Sequence, residues 1–184
     1  MKLLFFSDAH GYEDSLNCLI RYIEKFQPDQ IIMLGDALYH GPRNPIRQNY
    51  GPQTAVSLLN QLKGRIIAVR GNCDCEVDQM LLEFPMMNDF ATLLVDRMRC
   101  FLTHGHIWNP GHLPPIANCS VFAYGHTHIP QLERREDGGI LLNPGSISLP
   151  KNGFPPSFAV FENGVFHVRK LEDGSDMMAL SANP

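Results

Sequence analysis

The sequence predicts an α/β fold: a four-layer α/β/β/α sandwich of two packed mixed β-sheets flanked by helices. In the first half, short apolar runs alternate with segments of helical periodicity, which indicates parallel strands joined by helices. In the second half, strand-like runs follow one another through short turns, which indicates hairpins. The chain has 184 residues, of which 44% are hydrophobic. We therefore expect a single domain over residues 1–184.

Three apolar runs of the first half end abruptly on polar or glycine-containing sequence, as is typical of strands covered on both faces. They are residues 2–8 (KLLFFSD), 30–36 (QIIMLGD) and 65–72 (RIIAVRGN). Between the first two, apolar residues recur at helical spacing from Leu16 to Phe26, and Pro28 closes the segment. A loop rich in proline and glycine, residues 40–52, precedes a second helix with an apolar face from Ala55 to Leu62. The predicted order is βαβαβ.

The second half is predicted to contain strands joined by tight turns. Asp137-Gly138 and Asn163-Gly164 are strong hairpin sequences. The tail, residues 172–184, is expected to fray or to pack against a partner. The strand-like runs are residues 92–106, 120–130, 130–146 and 157–171.

The composition limits the classes of binding partner and the cellular compartment that we expect for this protein. A net charge of −4 supplies no basic field for duplex nucleic acid or for an anionic membrane, so we expect a small-molecule partner. Five cysteines are an odd number and fit a reducing, cytoplasmic location better than a disulfide scaffold. The first apolar run is too short for a signal sequence or a membrane span. A homo-oligomer, dimer or tetramer, is possible.

Polar and ionisable residues follow the apolar runs, where each predicted strand ends. In open α/β sheets, ligands bind beyond the carboxyl ends of the strands. Singly, Asp-x-His, Gly-Asp and Gly-Asn are compatible with simple turns, but a His-x-His pair places two imidazoles on one face of an extended segment. Their joint occurrence indicates one site. The residues are Asp8, His10, Asp36, Asn72, His104, His106, His126 and His128.

These residue types define a metal chemistry. Carboxylate, amide oxygen and imidazole suit Mn, Fe, Zn, Co or Ni, and they are too many for one ion. We expect two divalent metal ions per chain, bridged by a carboxylate such as Asp36. Water held between two cations is acidified enough to supply hydroxide near neutral pH, and hydroxide is suited to in-line attack on phosphorus.

The ordered set of motifs resembles that of the calcineurin-like metallophosphoesterases, whose fold is the four-layer sandwich predicted above. The matching segments are Asp8-x-His10, Gly35-Asp36, Gly71-Asn72-x-Asp74, His104-Gly105-His106 and Gly125-His126-Thr127-His128. The segments GDALYHGPRN and NPGSISLPK are similar to the small bacterial and archaeal phosphodiesterases of the YfcE type.

The resemblance implies a ligand set for each metal. One metal would be held by Asp8, His10, Asp36 and His128. The other would be held by Asp36, Asn72, His104 and His126, with Asp36 bridging. His106 is expected behind the ligands or facing the substrate. The resemblance favours manganese, although ligand affinity alone would favour later transition metals.

Cys73 occupies the position where much of the wider superfamily has a histidine. A neutral thiol is a poor substitute for a cation, so we expect a preference for phosphodiesters over phosphomonoester dianions. Asp36, Asn72, Cys73 and His106 are the predicted catalytic residues. A zinc or redox pair of Cys73 with Cys75 is disfavoured because no second thiol pair lies nearby. Cys75 is expected to be buried as a small apolar residue.

Residues outside the ligand set are predicted to assist. His40 could act as an acid, and Arg43 or Arg70 could contact the substrate anion, although a solvated loop explains the first two equally well. Asp74 could orient a ligating histidine or cap its own turn. Tyr39 and Trp108 could line the leaving-group pocket, but neither is preferred.

The sequence thus predicts a metal-dependent phosphodiesterase that hydrolyses small phosphodiesters with a hydroxide bridging two divalent metal ions. A phosphomonoesterase or nucleotide hydrolase on the same site is the first alternative. A non-catalytic, metal-binding interaction scaffold is the second, and the intact ligand set argues against it.

Overall fold

The first half of the chain folds as predicted. The structure is a computed structural model, and it describes residues 1–114 and 119–183. Strand β1 pairs in parallel with β2, and β2 pairs in parallel with β3, so the βαβαβ prediction is confirmed. The elements are β1 (Leu3–Phe6), α1 (Glu13–Phe26), β2 (Gln30–Met33), α2 (Pro52–Asn60) and β3 (Ile66–Ala68).

The second half contains one short helix and eight strands in the described residues. They are α3 (Glu76–Leu81), β4 (Phe90–Val95), β5 (Met98–Thr103), β6 (Val121–Ala123), β7 (Gln131–Arg134), β8 (Ile140–Asn143), β9 (Ser157–Glu162), β10 (Val165–Lys170) and β11 (Asp176–Ser181). The hairpins at Asp137-Gly138 and Asn163-Gly164 are confirmed, because β7 pairs antiparallel with β8 and β9 with β10.

The strands form two mixed sheets, as predicted. One has six strands in the order β11-β10-β9-β1-β2-β3, and the other has five in the order β4-β5-β6-β8-β7. The division does not follow the two halves of the chain, because β9 returns to pair antiparallel with β1. Nor is the second half built from hairpins alone, since β5, β6 and β8 are parallel neighbours. Parallel strands need crossovers, and apolar patterning does not reveal them.

Successive side chains of β1 point alternately into two different cores, which explains its uninterrupted apolar run. Leu3 and Phe5 belong to the core between the two sheets, whereas Leu4 and Phe6 belong to the core beneath α1 and α2. All four side chains are fully buried. The outer face of the five-stranded sheet carries a third cluster, against which Trp108 packs.

Two local expectations are wrong, and one of the two alternatives for the tail is excluded. Residues Asp176–Ser181 of the tail do not fray, because they form β11, which pairs antiparallel with β10 along the edge of the six-stranded sheet. The run 92–106 is two strands, since the chain turns at Asp96 with a left-handed backbone, φ 54°. Cys75 is exposed, not buried, because it is the N-cap residue of α3.

In the part of the chain that the structure describes, none of the helices has the length and apolar character needed to cross a bilayer.

Candidate metal centre

The predicted ligands meet at one edge of the two sheets. Asp8 follows β1, Asp36 follows β2, and His104 directly follows β5. The loops after the first two strands are joined, because the backbone N–H of Asp8 donates to the carbonyl oxygen of Gly35 (3.1 Å) and that of His10 to the carbonyl oxygen of Asp36 (2.9 Å). The carboxyl ends of the parallel neighbours β1 and β2 therefore bring Asp8 and Asp36 together, and the packing of the second sheet, which contains β5, adds His104.

Left-handed backbone is concentrated in the site. Non-glycine residues rarely adopt positive φ, and those that do occur at turns and cluster at active sites. Among residues 1–114 and 119–183, half of the ten non-glycine residues with positive φ are predicted ligands, with φ between 47° and 68°. They are Asp8, His10, Asp36, His126 and His128.

Two motif glycines allow the close approach of these loops. A Cβ atom on Gly71 would lie 2.0 Å from Oδ1 of Asp36, and one on Gly125 would lie 2.0 Å from Oγ of Ser7 and 3.0 Å from Oδ2 of Asp8. At either position, even an alanine side chain would force a neighbouring group to move. The two glycines are therefore required for the close packing of the ligand loops as well as for the turns in which they lie.

Three histidines are oriented in the same way. The Nδ1–H groups of His10, His104 and His128 donate to the carbonyl oxygens of Tyr39 (2.7 Å), Leu34 (2.6 Å) and Leu149 (2.6 Å). A carbonyl oxygen only accepts, so Nδ1 carries the proton in each ring. Such a bond fixes the ring and directs Nε2 at a metal, as in most metal-bound histidines.

The three Nε2 atoms converge with oxygens of the acidic ligands. His128 lies 3.2 Å from Oδ1 of Asp8, and His10 lies 3.7 Å both from that atom and from Oδ2 of Asp36. His104 lies 3.4 Å from Oδ2 of Asp36. Ligands about 2.1 Å from one ion lie about 3.0–3.4 Å apart, so the separations of His128 and His104 match donor atoms around a metal ion, and the two 3.7 Å separations of His10 are slightly longer.

The donor atoms form overlapping groups. Asp8 groups with His10 and His128, and it also groups with Asp36 and His104; the atoms of each group lie within 4.8 Å of one another. Oδ1 of Asp8 is buried and accepts no hydrogen bond in the described residues. A buried carboxylate oxygen without a partner is costly unless a cation binds it. The residues present therefore fit metal ions.

The charges in the site are coupled. Burial by itself raises the pKa of Asp8, but the neighbouring imidazoles of His128, His104 and His10 lower it well below its usual range. Burial acts to lower the pKa of His104, but the hydrogen bond to Asp36 raises it to about 9. Without metal, protonated His104 therefore supplies a positive charge next to the carboxylates of Asp36 and Asp8.

Two predicted ligands lie at the margin of this cluster. The Oδ1 atom of Asn72 accepts a hydrogen bond from Nε2 of His104 (3.1 Å). His126 donates its backbone N–H to Oδ2 of Asp8 (3.0 Å), and its ring lies 5.1 Å from that of His104. The structure brings both residues to the site, but His126 is in none of the three compact donor groups of the described residues.

Asp74 supports the backbone of the site and does not orient a histidine. Its carboxylate accepts hydrogen bonds from the backbone N–H groups of Asp36 (2.8 Å), Ala37 (2.8 Å) and Gly71 (2.7 Å). Burial raises the pKa of Asp74 to about 6, although the N–H donors oppose this shift. The two loops that carry Asp36 and Asn72 are thus joined by one buried side chain.

Cys73 lies beside the metal cluster as a neutral thiol. Its Sγ atom groups with donor atoms of His10 and Asp36 within 4.8 Å, and its backbone N–H donates to Oδ1 of Asp36 (2.8 Å). Burial, followed by the charge of Asp36, raises the thiol pKa to about 12. The side chain offers no positive charge at neutral pH.

A cleft of about 530 Å³ opens above the donor atoms. Arg43 and Tyr39 line it, as does Lys151, which sequence reasoning missed. Lys151 is exposed and donates its backbone N–H to the carbonyl oxygen of His128 (3.2 Å). The only sequence feature that pointed to it was its position at the end of the NPGSISLPK segment, to which no role had been assigned.

Of the predicted residues outside the metal-ligand set, His40, Arg70 and His106 do not line this cleft in the described part of the chain. The ring of His40 packs edge-on against Tyr50 at 5.3 Å. Arg70 forms an ion pair with Asp89 at 2.7 Å, so its expected role as an anion contact is not supported. The ring of His106 lies 5.4 Å from that of His104, and its buried Nδ1 atom has no hydrogen-bond partner among the described residues.

The fold and the cluster define a class of protein, and comparison with known proteins identifies it. The family model for the calcineurin-like phosphoesterase superfamily domain matches residues 1–164. The chain belongs to this superfamily of metal-dependent phosphoesterases. It is an enzyme of the hydrolase class, with acidic and histidine groups that could hold metal ions.

One relative is similar over the whole chain. The chain is 42% identical to phosphodiesterase YfcE of Escherichia coli, covering 100% of both sequences. The structure of that phosphoesterase superposes with a TM-score of 0.96 and covers 100% of both chains. Zinc-bound Vps29 of Entamoeba histolytica, 19% identical with a TM-score of 0.66 and full coverage of both chains, shares the fold alone.

Proposed function

We propose that this protein is a metal-dependent phosphodiesterase that hydrolyses small phosphodiesters with two divalent metal ions, preferably manganese. It would act in the cytoplasm as a single domain over the whole chain, as a dimer or tetramer. One metal site would be formed by Asp8, His10, Asp36 and His128, and the other by Asp36, Asn72, His104 and His126.

One observation carries this proposal. The three rings of His10, His104 and His128 each donate Nδ1–H to a backbone carbonyl, and their Nε2 atoms converge with two buried carboxylates at 3.2–3.7 Å. A structural core without bound metal does not need imidazoles fixed in this way.

The protein contributes position and charge. Bound divalent ions would neutralise the phosphate charge and supply hydroxide near neutral pH. The backbone bonds from the Asp74 carboxylate hold the Asp36 loop in place, and Asp36 is the residue shared by both proposed sites. Arg43 and Lys151 line the cleft and are the cationic side chains proposed to contact the substrate anion.

The absence of a cationic group at Cys73 favours diesters. A phosphomonoester carries two negative charges near neutral pH, whereas a diester carries one. The dianion gains more from a further cation beside the metals. The name of the Escherichia coli relative, a phosphodiesterase, supports the same preference.

The test compares bis(p-nitrophenyl) phosphate with p-nitrophenyl phosphate. Chelator-treated protein is supplied with single divalent metals, and Asn72→Ala is compared with Asn17→Ala, the same substitution on the exposed side of α1. We expect metal-dependent cleavage of the diester that is lost in Asn72→Ala and kept in Asn17→Ala. Faster cleavage of the monoester would favour the phosphomonoesterase. Two bound metals without turnover of either ester would favour a binding scaffold.

A further inference from the structure

A second cavity, of about 320 Å³, lies next to the metal cleft between the loop after β2 and helices α2 and α3. Most of its lining is apolar. The apolar lining residues are Leu38, Tyr39, Tyr50, Pro52, Val56 and Leu81. Gln53 and Asp78 complete the lining, and none of these described residues is cationic.

The cavity and the metal cleft are adjacent and share a lining residue. Tyr39 lines both spaces, and its own carbonyl oxygen accepts the Nδ1–H of His10. The segment that begins at Asp74 also borders both, because Asp74 and Cys75 line the cleft whereas Asp78 and Leu81 line the cavity. The cavity therefore lies behind Tyr39, between the same two segments that border the metal ligands.

The residues that line the second cavity favour an uncharged ligand group over a negatively charged one. The carboxylate of Asp78 is buried and accepts the backbone N–H of Cys75 (2.9 Å). It would repel a negatively charged ligand group, since no lysine, arginine or histidine of the described lining balances it. Tyr39 and Leu81 are 42% and 49% exposed, so a ligand that covered them would remove apolar surface from water.

From this geometry we infer that the cavity binds one of the two ester groups of the substrate, and that this group is an uncharged alkyl or aryl group. The inference rests on the proposed phosphodiesterase function, because it requires the phosphate to lie in the metal cleft. It names a substrate class that the metal ligands alone leave open.

The test varies one ester group and keeps the leaving group constant. Methyl, butyl and hexyl p-nitrophenyl phosphates all release p-nitrophenolate, so differences in kcat/KM report binding of the alkyl group. Burial of one methylene corresponds to about a fourfold change in affinity. In a partly open cavity we expect kcat/KM to rise at least about tenfold from methyl to hexyl. A chain of the same length that ends in a carboxylate should lose this gain.

Neighbouring residues of α3 provide a matched pair of variants. Leu81 lines the cavity, whereas Met80 is 83% exposed and lies outside its described lining. Leu81→Glu should reduce the ratio of hexyl to methyl kcat/KM by at least about fivefold. Met80→Glu should leave that ratio unchanged. Both side chains lie at the surface, so neither variant is expected to unfold the protein.

The outcomes separate this inference from the proposed function. If none of the three diesters is hydrolysed with any metal, the proposed function fails. If they are hydrolysed with equal kcat/KM, or if Leu81→Glu and Met80→Glu behave alike, the substrate assignment of the cavity is overturned. A shift of Leu81→Glu to a smaller oligomer in sedimentation, with an unchanged ratio, would overturn it in favour of an interface between copies of the chain.

Discussion

Gly71→Ala tests whether the metal centre depends on the close approach of two loops. Gly71 does not have positive φ, so alanine is not excluded by the backbone conformation at this position. Its Cβ would lie 2.0 Å from Oδ1 and 2.3 Å from the backbone nitrogen of Asp36. Since Cβ atoms essentially never approach other atoms closer than 3.0 Å, one loop must move by about 1 Å.

The magnitude follows from that displacement. A shift of about 1 Å in a reacting or ligating group commonly reduces activity by about 100-fold, which corresponds to about 2.7 kcal/mol of transition-state stabilisation. Overpacking of this kind also reduces the free energy of unfolding by about 1–3 kcal/mol. We therefore expect Gly71→Ala to fold, with a lower melting temperature, and to lose about 99% of kcat/KM.

The assay measures kcat/KM for bis(p-nitrophenyl) phosphate with Mn²⁺, together with bound metal per chain by atomic emission. Gly64→Ala is the control, because a Cβ at Gly64 meets no atom within 4 Å. If the folded Gly71→Ala variant stays within about threefold of Gly64→Ala, the steric argument for the Asp36 loop is refuted.

Three further predictions concern the surroundings of the metals. Asp74→Ala removes the acceptor of three backbone N–H groups and should lower the free energy of unfolding by about 3 kcal/mol in urea titrations; a loss below about 1 kcal/mol would contradict this. Cys73→His should raise the ratio of monoester to diester hydrolysis in the p-nitrophenyl assay, and an unchanged ratio would show that the missing cation does not set the preference. His104 has a pKa of about 9 without metal, above its value of about 6.5 in the unfolded chain. Its protonated form therefore stabilises metal-free protein below pH 6.5, and this contribution is lost as pH rises through about 9. Metal must displace the same proton, so calorimetry in buffers of different ionisation enthalpy should show about one proton released at pH 7.5, and none released would contradict the pairing with Asp36.

Much of the fold could be predicted because its signals are local. The runs around β1, β2 and β3 are apolar without interruption, and only strands covered on both faces bury such runs completely. The paired turns Asp137-Gly138 and Asn163-Gly164 specify hairpins through their own backbone preferences. By contrast, α3 has only six residues, which are too few to show helical periodicity in the sequence. Cys75 is the N-cap residue of this helix and is exposed, so its exposure was not predicted either.

The sequence predicted the ligand residues of the candidate site but not the interactions of the residues around them. Asp8 and Asp36 lie just after the parallel neighbours β1 and β2, so strand ends place these two residues together, whereas His104 follows β5 of the other sheet and reaches them only through the packing of the two sheets. Asp74 acts on Asp36 across 38 residues of sequence, and Arg70 is neutralised by Asp89 across 19. No local pattern encodes such pairs.

The sequence by itself determined the apolar runs, the turns and the types of ligand, because each depends on a residue and its near neighbours. The tertiary structure decided which nitrogen of each histidine faces the ligands, since distant carbonyl groups at Leu34, Tyr39 and Leu149 fix the rings. It also decided that Lys151 borders the cleft and that an apolar cavity lies behind Tyr39. The position of Lys151 and the apolar cavity both result from packing between segments that are far apart in the chain. Such contacts exist only in the folded protein, so no local sequence pattern predicts them.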